Sequence, residues 1–454
     1  MTTRPRGALL PPEVLAAPGR DRVIDLLRAV SILVVVLGHW TMAAVTRDGD
    51  GVALGNVLAV SPQLHPLTWV GQVMPLFFFA AGYTNALSLG RPGRTVRRFV
   101  AGRVERVTRP ALALVAVWLP LCVVLQAAGV DEGLVATAGA NAAMVLWFLA
   151  VYLVLALLAP LHLRVHRRSP WVLLAVLPVL TAILDRTQGT GLAGLGFLNY
   201  VLVFAFAQEL GFLYADGRLP ALPRWVWPAG AAGSVLALVL VTGPGPYPVS
   251  MIGLPGQEVS NMLPPSVCVV AVGLLQVCLA MWARPLLERW VQGRGPWTAV
   301  VLVNRSIMTT FLWHLTAFVA VTGAVLALDL PLPEPGTGAW WGHKLLWVLA
   351  AGALTVVAVL ALGWVEHLPG RAARCPGRYA VVAAVLVAAG MTMVASAGFA
   401  DPFERGGVAL AGLTFAAAPG ALLILLGWAG TRWPAETGAD GSALRREEPG
   451  PQAR

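Results

Sequence analysis

Residues 23–45 read VIDLLRAVSILVVVLGHWTMAAV, an apolar run as long as a bilayer is thick that nevertheless holds Asp25, Arg28 and His39. A helix needs about 20 residues to cross the hydrocarbon core, and lipid offers no partner to a bare backbone, so the run reads as a transmembrane helix. Outward from it the pattern repeats at 66–89, 110–128, 141–163, 171–186, 197–214, 225–242, 265–283, 300–328, 344–364, 379–398 and 408–429. These runs are far longer than barrel strands and show no two-residue alternation. The expected fold is all-α, a polytopic transmembrane helical bundle of about 12 spans.

Composition agrees. Of 454 residues, 57% are apolar and only 12% charged, about half the charge of an average soluble domain. That excludes disordered, fibrous and secreted disulfide-rich proteins. Of the 32 basic residues, 26 lie in alternate connecting segments starting with 1–22; the other segments hold Arg47, Arg186, Lys344 and Arg405, and Arg28 and Arg305 lie inside runs. The positive-inside rule therefore places both termini in the cytoplasm of a multi-pass cell-membrane protein. Topology also explains the net charge of +10, so no nucleic-acid partner is expected. The four cysteines form no CxxC pair and three sit in apolar runs, so neither a metal nor a disulfide is expected.

The expected organisation is a cytoplasmic N-terminal segment (1–22), a membrane domain (23–378), two additional C-terminal helices (379–430) and a disordered cytoplasmic tail (431–454). Most connections are short, which puts the chemistry among the helices. Segment 243–264, GPGPYPVSMIGLPGQEVSNMLP, reads equally well as a packed lid or as an ordinary interfacial loop. Its polar residues Glu258 and Asn261 are substrate-binding candidates. Twelve runs invite a six-plus-six transporter, but the polar residues of the first run have no counterpart in the seventh.

Ionisable groups inside a membrane are costly and usually face the bundle interior. The 11 steps from Arg28 to His39 turn a helix through about 1100°, which places both on one stripe about 16 Å apart in depth. Asp25, three residues before Arg28, reads as an interface anchor or an ion-pair partner. Arg305 and His314, nine residues apart in one run, fall on opposite faces of a straight helix. Glu209 is expected to pair with an arginine, and His162, His166 and His367 to be unremarkable residues near the cytoplasmic side.

The stretch from Arg22 to His39, with Arg28 and His39 separated by ten residues, resembles the opening of the acyltransferase family 3 membrane proteins. Further resemblances follow in order: Phe77-Phe-Phe-Ala-Ala-Gly-Tyr83, Arg103-Val-Glu-Arg-Val-Thr-Arg-Pro110, Leu146-Trp-Phe-Leu149 and Phe311-Leu-Trp-His314. Ala81 departs from the pattern, standing where the family commonly has serine. The resemblance implies a ten-span core that moves an acyl group, typically acetyl, from a cytosolic acyl-CoA co-substrate to a hydroxyl on a carbohydrate, lipid-linked or small-molecule acceptor. It casts His39 and Arg28 as catalytic, Arg103, Arg106 and Arg109 as donor-binding, and His314 and Trp147 as substrate-binding. Arginine suits the donor, because its planar fork matches phosphate oxygens. Arg91, Arg94, Arg97 and Arg98 are accounted for by topology alone. His39 is read as a general base or as an acyl relay. A transporter or flippase with His39 as proton relay is the alternative. Arginine in great excess over the single lysine, with richness in Ala, Gly and Pro, suggests a GC-rich bacterial genome, and a place in the cell envelope is expected.

Overall fold

The computed structural model describes residues 21–48, 51–254, 257, 259–368 and 377–432. The expected segment 1–22 and tail 431–454 lie outside the described residues except for two residues each.

Helix α1 (Arg22–Met42) begins where the Asp21 carboxylate accepts from Val23 N and Ile24 N at 2.9 and 3.1 Å, satisfying donors that a helix start leaves open. It ends at Met42, short of the expected Val45, because β1 (Ala43–Asp48) turns back to pair antiparallel with β2 (Gly51–Asn56). There follow α2 (Met74–Gly90), α3 (Val96–Ala127), α4 (Glu132–Met144), α5 (Leu146–Arg168), α6 (Pro170–Asp185) and α7 (Asn199–Ala215). The second half comprises α8 (Val226–Thr242), α9 (Val267–Gln292), α10 (Arg294–Arg305), α11 (Ile307–Ala327), α12 (Gly338–Leu362) and α13 (Gly377–Ala397). A second hairpin, β3 (Gly406–Leu410) with β4 (Leu413–Phe415), precedes α14 (Ala417–Gly430). The fold is thus a helical bundle with two small hairpins at helix ends. Among the described residues nine helical segments are long and apolar enough to cross a membrane, while α6, α8 and α14 are apolar but shorter.

The surface is that of a protein in lipid. Leu345, Leu346, Leu349, Val356, Val357 and Leu360 of α12, and Val172, Val176, Val179 and Ile183 of α6, point outward. Asn85, Gln208, Glu209, His166 and His314 are buried inside. Lipid tails are as apolar as leucine, so close packing must hold such helices together. Glycine provides it. A Cβ on Gly82 would collide with the Gln208 carbonyl and one on Gly211 with the Phe79 carbonyl, so α2 and α7 cross backbone to backbone. Gly390 and Gly420 do the same for α13 and α14, and α13 in turn packs on α3 and α5.

Two apolar runs fold differently from expectation. Run 300–328 is broken at Ser306, where Asn304 Nδ2 bonds the Asp25 carbonyl at 2.7 Å. The half before the break is amphipathic: Trp297, Val300 and Val301 of α10 pack on Leu26 and Ala29 of α1 while Arg294 and Arg305 stay outside that core. In run 408–429 the first residues form β3 and β4, because Ala411 and Gly412 both take positive φ, 52° and 80°, in a two-residue hairpin loop. Only 14 residues remain for α14.

Candidate active site

The stripe on α1 faces the bundle as its spacing requires. Arg28 lies 3.8 Å from Asp25, and both line a cavity of about 600 Å³ at the arginine-rich end. Its walls come from α1, α2, α3, α5, the α10–α11 corner and the turn Gly363–His367. Six guanidinium groups border it, those of Arg28, Arg91, Arg94, Arg103, Arg106 and Arg305, against the carboxylates of Asp21, Asp25 and Glu366. Partial burial, and then the like charges of Arg103, Arg91 and Arg106, push the Arg94 guanidinium below its ordinary value. Crowded cations of this kind favour a polyanionic ligand. Glu366 is held at the start of α11, accepting from the backbone N and hydroxyl of Thr309, where a helix N-terminus favours negative charge.

Toward its inner end the cavity becomes apolar, walled by Ile32, Phe77, Phe148 and Phe311. The rings of Phe77 and Phe148, and of Phe148 and Phe311, meet edge to face at 5.0 and 4.9 Å between centroids. Phe311 in turn lies 5.8 Å from the ring of His314, one turn further along α11.

His314 and His39 are in direct contact. His39 Nδ1 lies 2.8 Å from His314 Nε2, and His314 Nδ1 lies 2.6 Å from the Phe311 carbonyl. A carbonyl can only accept, so His314 carries its proton on Nδ1; a neutral ring then offers a lone pair at Nε2. His39 must therefore donate from Nδ1, which leaves its own Nε2 unprotonated. The pair thus fixes one tautomer of His39 and presents a basic nitrogen, with His314 fully buried and His39 half-buried. Trp40 Nε1 donates to the His314 carbonyl at 2.9 Å and pins the same two helices.

Lys344 of α12 ties down the chain where α1 ends. Lys344 Nζ donates to the Ala43 carbonyl at 2.6 Å, one turn beyond His39, and sits over the rings of Trp340, Trp347 and Phe318 at 4.7 to 5.5 Å. Residues 249–251 are tied to the turn before α2: Trp69 Nε1 donates to Val249 O, and Met251 N to the Thr68 hydroxyl. Burial, and then the Asp185 charge, raise the Tyr247 hydroxyl above its ordinary range where it bonds that carboxylate.

The sequence candidates divide accordingly. Arg28, Arg103 and Arg106 share the cavity, and His39 and His314 meet just past its apolar end. Arg109 instead pairs with Glu105 and donates to the Leu368 carbonyl at 2.5 Å, outside the cavity lining. Trp147 belongs to a ring cluster with Phe148, Tyr200 and Phe204 and is likewise not in the lining. Asn261 spends its amide on the Pro248 and Ser250 carbonyls, a local structural role. Glu258 lies outside the described residues. Arg91 and Arg94, attributed to topology alone, line the cavity. Arg305 does too, because the break at Ser306 removes the straight helix that would have turned it away.

One cluster escaped the sequence reading. Glu209 pairs with histidines, not with an arginine: its carboxylate lies 3.0 Å from His162 Nε2 and 2.6 Å from His166 Nδ1. Glu209 is the lone acid of run 197–214, and the argument applied to Arg28 applies to it equally.

A family model described as an acyltransferase domain, acyltransferase family 3, matches residues 21–364, three quarters of the chain. The match ends before α13. No curated protein and no solved structure matches the chain.

Proposed function

Because the chain belongs to acyltransferase family 3, we propose that it is a multi-pass membrane O-acyltransferase that draws an acyl group, acetyl in the simplest case, from a cytosolic acyl-CoA. The acceptor is a hydroxyl on a glycan, glycolipid or small molecule of a bacterial cell envelope. In this reading all twelve apolar helices span the plasma membrane, and the arginine-rich end with both termini faces the cytoplasm.

Arg28, Arg103 and Arg106 hold the phosphates of the donor, with Arg91, Arg94 and Arg305 adding to the field. The pantetheine arm runs along the α1 stripe toward Phe311. At His39, Nε2 takes the proton of the acceptor hydroxyl as its oxygen attacks the thioester carbonyl. The tetrahedral intermediate then expels the thiolate, the C–S bond breaks, and the imidazolium returns the proton to sulfur. Arg28 binds and orients, since its guanidinium does not give up a proton at neutral pH. If donor and acceptor meet His39 in turn, the same Nε2 instead accepts the acyl group and passes it on.

The observation that supports this most is the hydrogen-bonded chain from Phe311 O through His314 to His39, which leaves one basic nitrogen beyond the apolar end of a cationic cavity. The test is consumption of labelled acetyl-CoA by purified protein supplied with a total envelope extract, with product lipids and glycans read by mass spectrometry. Wild type is expected to add an acetyl mass to a hydroxyl-bearing product, and His39→Ala to add none. No consumption by wild type with any extract would favour the transport reading.

A further inference from the structure

A chain of side chains leads away from the cationic cavity into the bundle. Arg103 Nη2 donates to Asn85 Oδ1 at 2.9 Å, Asn85 Nδ2 to Gln208 Oε1 at 3.1 Å, and Gln208 Nε2 to His162 Nδ1 at 3.0 Å. Since His162 accepts at Nδ1, its proton sits on Nε2, facing Glu209 Oε2 at 3.0 Å. The other Glu209 oxygen takes His166 Nδ1 at 2.6 Å, and His166 Nε2 reaches Asp216 at 2.9 Å. With both carboxylates ionised, His166 carries a proton on each nitrogen. The three hydrogen bonds from Arg103 to His162 therefore point the same way, each group donating to the next, and the sequence ends with His162 in ion-pair contact with a buried carboxylate.

The arrangement is tightly held. Asn85, Gln208, Glu209 and His166 are each at most 1% exposed. The backbone contact of α2 with α7 at Gly82 and Gly211 sets Asn85 against Gln208. Aligned hydrogen bonds polarise one another at low dielectric, and an arginine held by a fixed acceptor loses less freedom when it takes a phosphate.

We propose that His162, with Gln208 and Asn85, is a positioning residue for donor binding: the hydrogen-bonded chain that ends at His162, against the Glu209 carboxylate, holds the Arg103 guanidinium in the orientation that receives an anionic oxygen of the acyl-CoA. The inference rests on the reading of the cavity as the donor site. None of these residues touches the reacting atoms.

The test is binding of coenzyme A to the full-length, detergent-purified chain by titration calorimetry, with size-exclusion chromatography confirming that each variant is folded. Arg103→Ala is expected to weaken binding tenfold or more, as loss of a charge-assisted hydrogen bond does. His162→Leu, which removes its hydrogen bond with Gln208 and its contact with Glu209, is expected to weaken binding by about tenfold. His162→Gln, whose amide can accept from Gln208 and donate to Glu209, is expected to stay within about threefold of wild type. In the Arg103→Ala background His162→Leu should add nothing, because its effect runs through Arg103. Should His162→Leu not stay monodisperse, Gln208→Leu cuts the same chain on α7 and carries the same expectation. Equal losses in His162→Leu and His162→Gln, wild-type binding by His162→Leu, or additivity with Arg103→Ala would overturn the proposal. Wild-type binding by Arg103→Ala would overturn the donor-site reading itself, and this inference with it.

Discussion

Two histidine pairs, each with one fully buried member, share this bundle, and their neighbours make them opposites. His39 and His314 have each other and a backbone carbonyl within hydrogen-bond reach and, among the described residues, no carboxylate. His162 and His166 are bound to Glu209, with Asp216 on the far side of His166. The first pair leaves a nitrogen unprotonated and half-buried. In the second every ring nitrogen lies against a side-chain partner, Gln208, Glu209 or Asp216. Burial and residue type are shared by both pairs; an unspent lone pair, which a general base needs, distinguishes the first.

Substitutions break or sharpen that contrast. His39→Ala is expected to abolish turnover to the level of a lost general base, about 10² to 10⁴-fold, read as acetyl transfer in reconstituted vesicles. His314→Leu removes the acceptor that fixes the His39 tautomer and should cost about 10- to 100-fold, comparable to loss of an orienting partner of a functional histidine. His314→Gln, which keeps an accepting oxygen at the same place, should recover most of that loss in the same assay. Glu209→Leu strands two histidines, one of them charged, and is expected to lower stability by about 3 kcal/mol or more, measured as the midpoint of thermal aggregation in detergent. Lys344→Met keeps an apolar stem among the rings but frees the Ala43 carbonyl, and should lower stability by only about 1 kcal/mol, seen as a smaller drop in the same midpoint.

The helical membrane architecture was legible because period and run length depend on residues close together in sequence. The stripe from Arg28 to His39 was legible for the same reason. Other features depended on tertiary partners. The break at Ser306 relies on Asn304 reaching the Asp25 carbonyl, 279 positions away, although the polar triplet Asn304-Arg305-Ser306 inside an apolar run was a local hint. The hairpin at Gly406–Phe415 was hidden because its residues are as apolar as those of a helix. The contact between His39 and His314 spans 275 positions. Arg109 and Arg103 are alike in sequence; the Leu368 carbonyl and Asn85 are what separate them.

The central claim is that His39 acts through Nε2 while Nδ1 merely holds the ring, and His39→Asn separates the two. The asparagine amide replaces Nδ1–H, so its bond to His314 can persist, and it has no atom at Nε2. The decisive measurement is acetyl transfer by this variant in reconstituted vesicles, alongside its affinity for coenzyme A. Coenzyme A affinity like that of wild type with turnover reduced about 10² to 10⁴-fold is the predicted result. Turnover close to wild type would contradict it.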